Sequence, residues 1–112
     1  MANIQTAGVL LEGCVLSVLA RDDTYGYDLT QRVRETLDVS ESTFYPVMRR
    51  LQADDCLLTY DMPHNGRNRR YYRITERGLD KLRYCENEWL FFKQKIDLYL
   101  RRDESYDTNG VH

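Results

Sequence analysis

The sequence predicts a mostly α-helical fold with one small β-hairpin and a long last helix. Three observations predict it. Apolar residues recur at three- and four-residue spacing through roughly the first half of the chain. A short apolar run after Asp54-Asp55 then meets Asn65-Gly66, the strongest hairpin signal present. Helical spacing resumes at Glu76 and holds to about Arg102.

Each element has a local reason. From Val9 to Ala20 nearly every residue is apolar, Leu10, Leu11, Val15 and Leu19 among them. A helix hydrophobic around most of its circumference must be covered on most sides, and a partner copy is expected to supply part of that cover. Arg21-Asp22-Asp23-Thr24 reads as a turn, with Thr24 the N-cap of a second helix from about Tyr25 to Leu37. Tyr25, Leu29, Val33 and Leu37 give that helix one apolar face. Asp38-Val39-Ser40 breaks it. Ser40 or Ser42 caps a third helix carrying Phe44, Val47, Met48 and Leu51 at helical spacing. Pro46 is tolerated because it lies near this helix's start, where it bends the helix slightly. Cys56 to Met62 is a β-compatible strand, Pro63 to Asn68 a turn, and Arg69 to Ile74 the returning strand. Thr75 caps the last helix, and the polar stretch 103–112 is expected to be disordered. Three helices followed by a two-stranded hairpin is the plan of a winged helix-turn-helix, whose third helix reads the groove. Residues 1–75 form that unit, residues 76–102 a C-terminal dimerisation helix packed with the first, and 103–112 a tail.

Composition narrows the function. At 112 residues the chain holds one core and is too short for a Rossmann unit with a substrate domain, or for a barrel enzyme. Sixteen Lys and Arg against eighteen Asp and Glu give a net charge of −2, which excludes a globally basic nucleic-acid coat but not a local patch. Cys14, Cys56 and Cys85 are odd in number with no close pair, so no disulfide framework or Cys-x-x-Cys zinc knuckle can be built. With only His64 and His112 besides, neither a metal nor a cofactor is expected, and free thiols point to the cytoplasm. Met1 to Gln5 lacks the basic region of a signal peptide, and no apolar run approaches the ~20 residues that span a bilayer. Without a nucleophile elbow, a Gly-rich phosphate loop or a zinc-protease helix, no enzyme is expected.

The third helix and the hairpin carry the chemistry. With the apolar set turned inward, the helix presents Ser42, Thr43, Tyr45, Pro46, Arg49 and Arg50, whose hydroxyls and guanidiniums suit phosphates and base edges. From Met62 to Arg73 there are four arginines (Arg67, Arg69, Arg70 and Arg73) and no acid. Over Ser40 to Arg73, six arginines face four acids, a surplus of two in a chain of net charge −2. Charge is therefore segregated onto the helix and hairpin, as backbone phosphate binding requires. Arg67, Arg69 and Arg70 are expected to supply sequence-independent affinity. An edge hairpin made soluble by charge usually mixes Lys with Glu, whereas this one interleaves Arg with Tyr71 and Tyr72. Tyrosine is abundant, at nine residues, and the hydroxyls of Tyr25 and Tyr27 can donate to phosphate. In the last helix Leu82, Cys85, Trp89, Phe92, Ile96 and Tyr99 alternate spacings of three and four, the seam of helix pairing.

Three stretches resemble the PadR family of bacterial transcriptional regulators: Tyr25-Gly26-Tyr27-Asp28-Leu29; Ser42-Thr43-Phe44-Tyr45-Pro46 with Arg49-Arg50-Leu51; and Gly66-Arg67 followed by Arg70-Tyr71-Tyr72-Arg73-Ile74-Thr75. The likeness covers about Leu10 to Leu100. It implies a homodimeric winged helix that binds palindromic operator DNA and represses transcription. The third helix would enter the major groove of double-stranded DNA, and the wing would reach flanking backbone or minor groove. The single C-terminal helix is similar to that of the smaller PadR subfamily, in whose multidrug-responsive members a tryptophan lines an aromatic ligand site at the dimer interface. Trp89 falls at the matching place, flanked by Cys85 and Phe92, so a planar aromatic or cationic effector is expected there. Leu11 and Val15 of the first helix are expected to join the dimer seam. Asp55 stands where the family usually has Gly, though Asp tolerates left-handed backbone. Asn68 replaces a frequent Pro, which is expected to loosen the wing tip. The alternatives to an effector-released repressor are a winged-helix protein-interaction module and a small-molecule-binding dimer without operator binding.

Overall fold

A computed structural model describes residues 4–100, with side chains described from residue 7 onward. The elements run α1 (Ile4–Arg21), β1 (Thr24–Tyr25), α2 (Gly26–Leu37), α3 (Glu41–Ala53), β2 (Leu57–His64), β3 (Arg67–Ile74) and α4 (Glu76–Leu100). The fold is the expected one, mostly helical with a small antiparallel sheet and a long final helix. The expected end of the last helix at Arg102 and the tail 103–112 lie outside the described residues. No described helix is long and apolar enough to cross a membrane.

The inward faces of α1, α2 and α3 meet in one core. Val15, Leu16, Leu29, Phe44 and Leu51 are fully buried there, each contributing about 1.5–3 kcal/mol by leaving water. The foot of β2 closes the core with Cys56 and Leu57, and Tyr72, Ile74 and Leu82 pack on its margin. Leu11 and Val15 belong to this core. They are therefore not free for a dimer seam, because α2, α3, β3 and α4 of the same chain already cover α1. Leu37, expected on the inner face of the second helix, stands 44% exposed.

Several local readings are corrected. Thr24 does not cap α2. With Tyr25 it forms β1, a third strand paired with β3 at Thr24↔Tyr72 and Tyr25↔Tyr71. The Thr24 hydroxyl instead donates to the Asp22 carbonyl at 3.0 Å, and α2 begins after Tyr25 with no side-chain cap. Ser40 takes the N-cap position of α3, yet its hydroxyl bonds Ser42 and Thr43 side chains rather than a backbone N–H. Pro46 sits past the first turn of α3, and the helix continues through it. The hydrogen bond it lacks would have gone to the carbonyl of Ser42. The strands of the hairpin are longer than the sequence suggests and the turn shorter. Only Asn65 and Gly66 remain between them, with φ of 52° and 79°. Two consecutive positive φ values define the type I′ turn that the strands' twist favours, and Gly66 takes its position without a side-chain clash. Asp55 has φ 60°, the left-handed geometry its position requires. Thr75 caps α4 as expected, its Oγ1 accepting from the Gly78 N–H at 3.0 Å.

Candidate nucleic-acid interface

The turn between α2 and α3 sets the angle of the third helix. Asp38, at φ 54°, ends α2 in left-handed backbone. The Val39 N–H then donates to the Arg34 carbonyl, and Arg34 Nε donates back to the Val39 carbonyl at 3.0 Å. Burial of Phe44, Val47, Met48 and Leu51 fixes the rotation of α3. Ser42, Thr43, Tyr45 and Arg49 are left exposed, and Pro46 half-buried.

This outward set divides by direction. Tyr45 leans toward α2 and lines a shallow polar groove with Tyr27, Arg34 and Tyr72. Thr43 and Arg50 lean toward α1, on the wall of a larger cavity. Arg50 is committed there: its Nε donates to Glu12 Oε2 at 3.1 Å. The other oxygen of Glu12 lies 3.3 Å from Lys81 Nζ. Glu12 is 4% exposed, so one buried carboxylate of α1 holds a cation from α3 and another from α4. Burial opposes the charge of Lys81, but the carboxylate outweighs it and raises the ammonium's pKa. Sequence reasoning missed Glu12; the signal that could have found it is its place as the lone acid of an apolar helix, though its partners leave no such signal.

The wing's cations are sorted in the same way. On β3, Arg67, Arg69, Tyr71 and Arg73 share one face, while Asn68, Arg70, Tyr72 and Ile74 share the other. Arg70 Nε lies 3.4 Å from Asp61 across the hairpin. Arg73 lies 2.8 Å from Asp23, just before β1. The hydrogen bond from Arg73, with a second from the Tyr60 hydroxyl, holds the Asp23 carboxyl below the ordinary range. The same contact raises the Tyr60 hydroxyl. Among the described residues, Arg67 and Arg69 have no carboxylate within ion-pair distance. Asp23 and Asp61 lie outside the acid-free stretch Met62 to Arg73 and reach it only through strand pairing. Tyr25 is half-buried beneath Arg69, and Tyr27 is 63% exposed beside it.

Between them α1, α3 and α4 border an open cavity of about 870 Å³. Trp89 and Cys85 line it, together with Leu10, Cys14, Val47 and Leu82. Phe92, expected as a third wall, is not among the lining residues: it lies one turn beyond Trp89 along α4. Burial pushes the Cys85 thiol up to about 11, so it is a neutral apolar wall and not a nucleophile. Among the described residues no group of three or more His, Cys, Asp or Glu is placed to hold a metal.

A family profile described as "Transcriptional regulator PadR-like family" matches residues 15–84. The transcriptional regulator Rv3488 of Mycobacterium tuberculosis is 38% identical over 79 residues, covering 70% of this chain and 72% of that protein. The crystal structure of smu.1704 from Streptococcus mutans superposes with a TM-score of 0.73 at 34% identity, covering 87% of this chain and 93% of the other. A PadR-like transcriptional regulator from Bacillus cereus gives a TM-score of 0.71 at 28% identity, with 90% and 100% covered.

Proposed function

The chain belongs to the PadR-like family of transcriptional regulators, and from that premise we propose that it is a homodimeric repressor of a near-palindromic operator. It is a DNA-binding regulator of transcription and not an enzyme. The observation that carries the finer reading is the sorting of its cations. Arg49 on the exposed face of α3, and Arg67 and Arg69 on the wing, are the arginines there that no described carboxylate engages. Uncompensated cations beside a hydroxyl-bearing helix are what binding a duplex needs: phosphates position, and base edges specify. Ser42, Thr43 and Tyr45 read bases in this arrangement. The wing holds the flanking backbone.

Dimerisation rests on α4. Its outer half leaves Trp89 47%, Ile96 36%, Leu98 80% and Tyr99 84% exposed. Apolar side chains in such number along one helix call for a partner, and a second α4 offers the same seam. Residues 76–102 then act as the dimerisation helix and residues 1–75 as the DNA-binding head. The cavity that Trp89 lines suits a flat apolar or cationic effector. A ligand that prefers one spacing of the two heads releases DNA by that preference and no more.

Gel retardation with duplex from around the protein's own gene tests the reading. A shifted band that survives excess random duplex supports it, and planar cationic dyes should weaken that band. Equal competition by random duplex would remove operator binding.

A further inference from the structure

We propose that Tyr25 is a positioning residue for DNA binding. With Tyr71 and Tyr60 it forms a row of rings across the sheet that holds the Arg69 guanidinium as the wing's phosphate contact. The inference rests on the reading that the chain binds duplex DNA.

The row follows from strand register. Tyr25 of β1 lies opposite Tyr71 of β3, and Tyr71 lies opposite Tyr60 of β2. Residues directly opposite share a face, so the three rings line up perpendicular to the strands. Tyr60 and Tyr71 stack at 5.7 Å with 16° between planes, and Tyr25 meets Tyr71 at 5.9 Å, tilted 43°. Arg69 and Arg73 each stand two residues from Tyr71 on β3, on the same face. Each caps one end: Arg73 Cζ lies 5.2 Å from the Tyr60 centroid, and Arg69 Cζ 4.1 Å from that of Tyr25.

The two ends differ in charge. Arg73 is bonded to Asp23, which cancels it. Arg69 is held by a ring alone among the described residues. Stacking orders the plane of a guanidinium while leaving its N–H donors free, and the planar fork then meets a phosphate with little rotamer freedom still to lose. Tyr25 also immediately precedes α2, so the ring that holds Arg69 is tied to the helix that leads into α3. The wing's cation and the reading helix are thereby kept in one register. Tyr25 acts through Arg69, and its hydroxyl is not the contact.

The test titrates random-sequence duplex over a range of salt against the full chain and its variants. Arg69→Ala is expected to lower the log–log salt slope by about one. Tyr25→Leu should lose most of the affinity that Arg69→Ala loses, and should lose nothing further in the Arg69→Ala background. Tyr25→Phe, which keeps the ring, should bind as the parent does. Arg69→Lys keeps the charge but lacks the flat fork, and should fall nearer to Arg69→Ala than to the parent. Without DNA, the Arg69 Nε–H proton resonance should be displaced upfield by the ring, and Tyr25→Leu should return it to the free-arginine position. Additive losses in the double variant, or equal losses in Tyr25→Phe and Tyr25→Leu, overturn the inference, as does parental affinity in Arg69→Lys. A parent chain that binds no duplex overturns instead the function beneath it, and an upfield resonance there tells that failure from loss of the stack.

Discussion

Arg49 and Arg50 are adjacent and identical, yet among the described residues only Arg50 is engaged by a carboxylate, that of Glu12, 38 positions away in sequence. Local spacing placed both on the outer face of α3 and could go no further, because the competing charge arrives through folding. The wing repeats the lesson with Asp61 and Asp23, which the acid-free stretch of arginines did not contain. Two outcomes are expected at this scale. Arg67→Ala should lower the salt slope of random-duplex binding by about one, whereas Asp61→Asn should raise it by freeing Arg70. A slope unchanged in Asp61→Asn would show that the ion pair does not compete with phosphate. Asp23 makes the second prediction. Its folded pKa lies below its unfolded value of about 3.9. Its ionised form therefore stabilises the fold above that value, and the contribution is lost as pH falls through the folded pKa. Asp23→Asn should flatten the decline of the urea midpoint below about pH 4, and parallel curves for the two chains would refute the assignment.

Elements written in local chemistry were legible: the four helices from their spacing, the hairpin from Asn65-Gly66, the start of α4 from Thr75. β1 was not. Two residues have no period to detect, and Thr24 and Tyr25 become a strand only because β3, far along the chain, offers an unpaired edge. The turn estimate failed for a related reason: Pro63 and Asn68 are turn-formers, but cross-strand pairing carries both into the ladder. That α4 packs with α1 was expected; how closely the two helices cross was not legible. A Cβ added at Gly13 would stand 2.7 Å from Cys85 Cβ, so the two helices approach as closely as they do because residue 13 has no side chain. Gly13→Ala should lower stability by about 1–3 kcal/mol through overpacking, seen as a lower urea midpoint at constant slope. An unchanged midpoint would mean that the crossing can spread without cost.

The fold is elongated, at 64 × 26 × 25 Å, and α4 is its longest element. Its inner turns pack on α1, while its outer half shows solvent the residues that the three-and-four spacing placed on a seam. Spacing placed Trp89, Ile96 and Tyr99 on one stripe of one helix, and all three stand exposed within one chain. Leu11 and Val15 were misassigned because sequence cannot tell an apolar face turned to its own core from one turned to a partner. Ile96 is 36% exposed within one chain, so Ile96→Asp should leave the folded monomer nearly as stable as before. Across a paired seam it buries an uncompensated charge and should weaken the dimer by several kcal/mol. Sedimentation over a range of concentrations separates the cases, and a dimer of parental affinity would refute the seam.

The carboxylate of Glu12 has a mechanical consequence. By holding Arg50 and Lys81 together it welds the reading helix to the root of α4, so the head cannot swing without carrying that helix with it. In the proposed dimer α4 is then a rigid arm, about 37 Å long at 1.5 Å per residue. A tilt of roughly five degrees at its paired end moves the head by about 3 Å, close to one base step of about 3.4 Å. Half-sites are spaced by whole turns of the duplex, so a shift of that size puts one head out of phase with its groove.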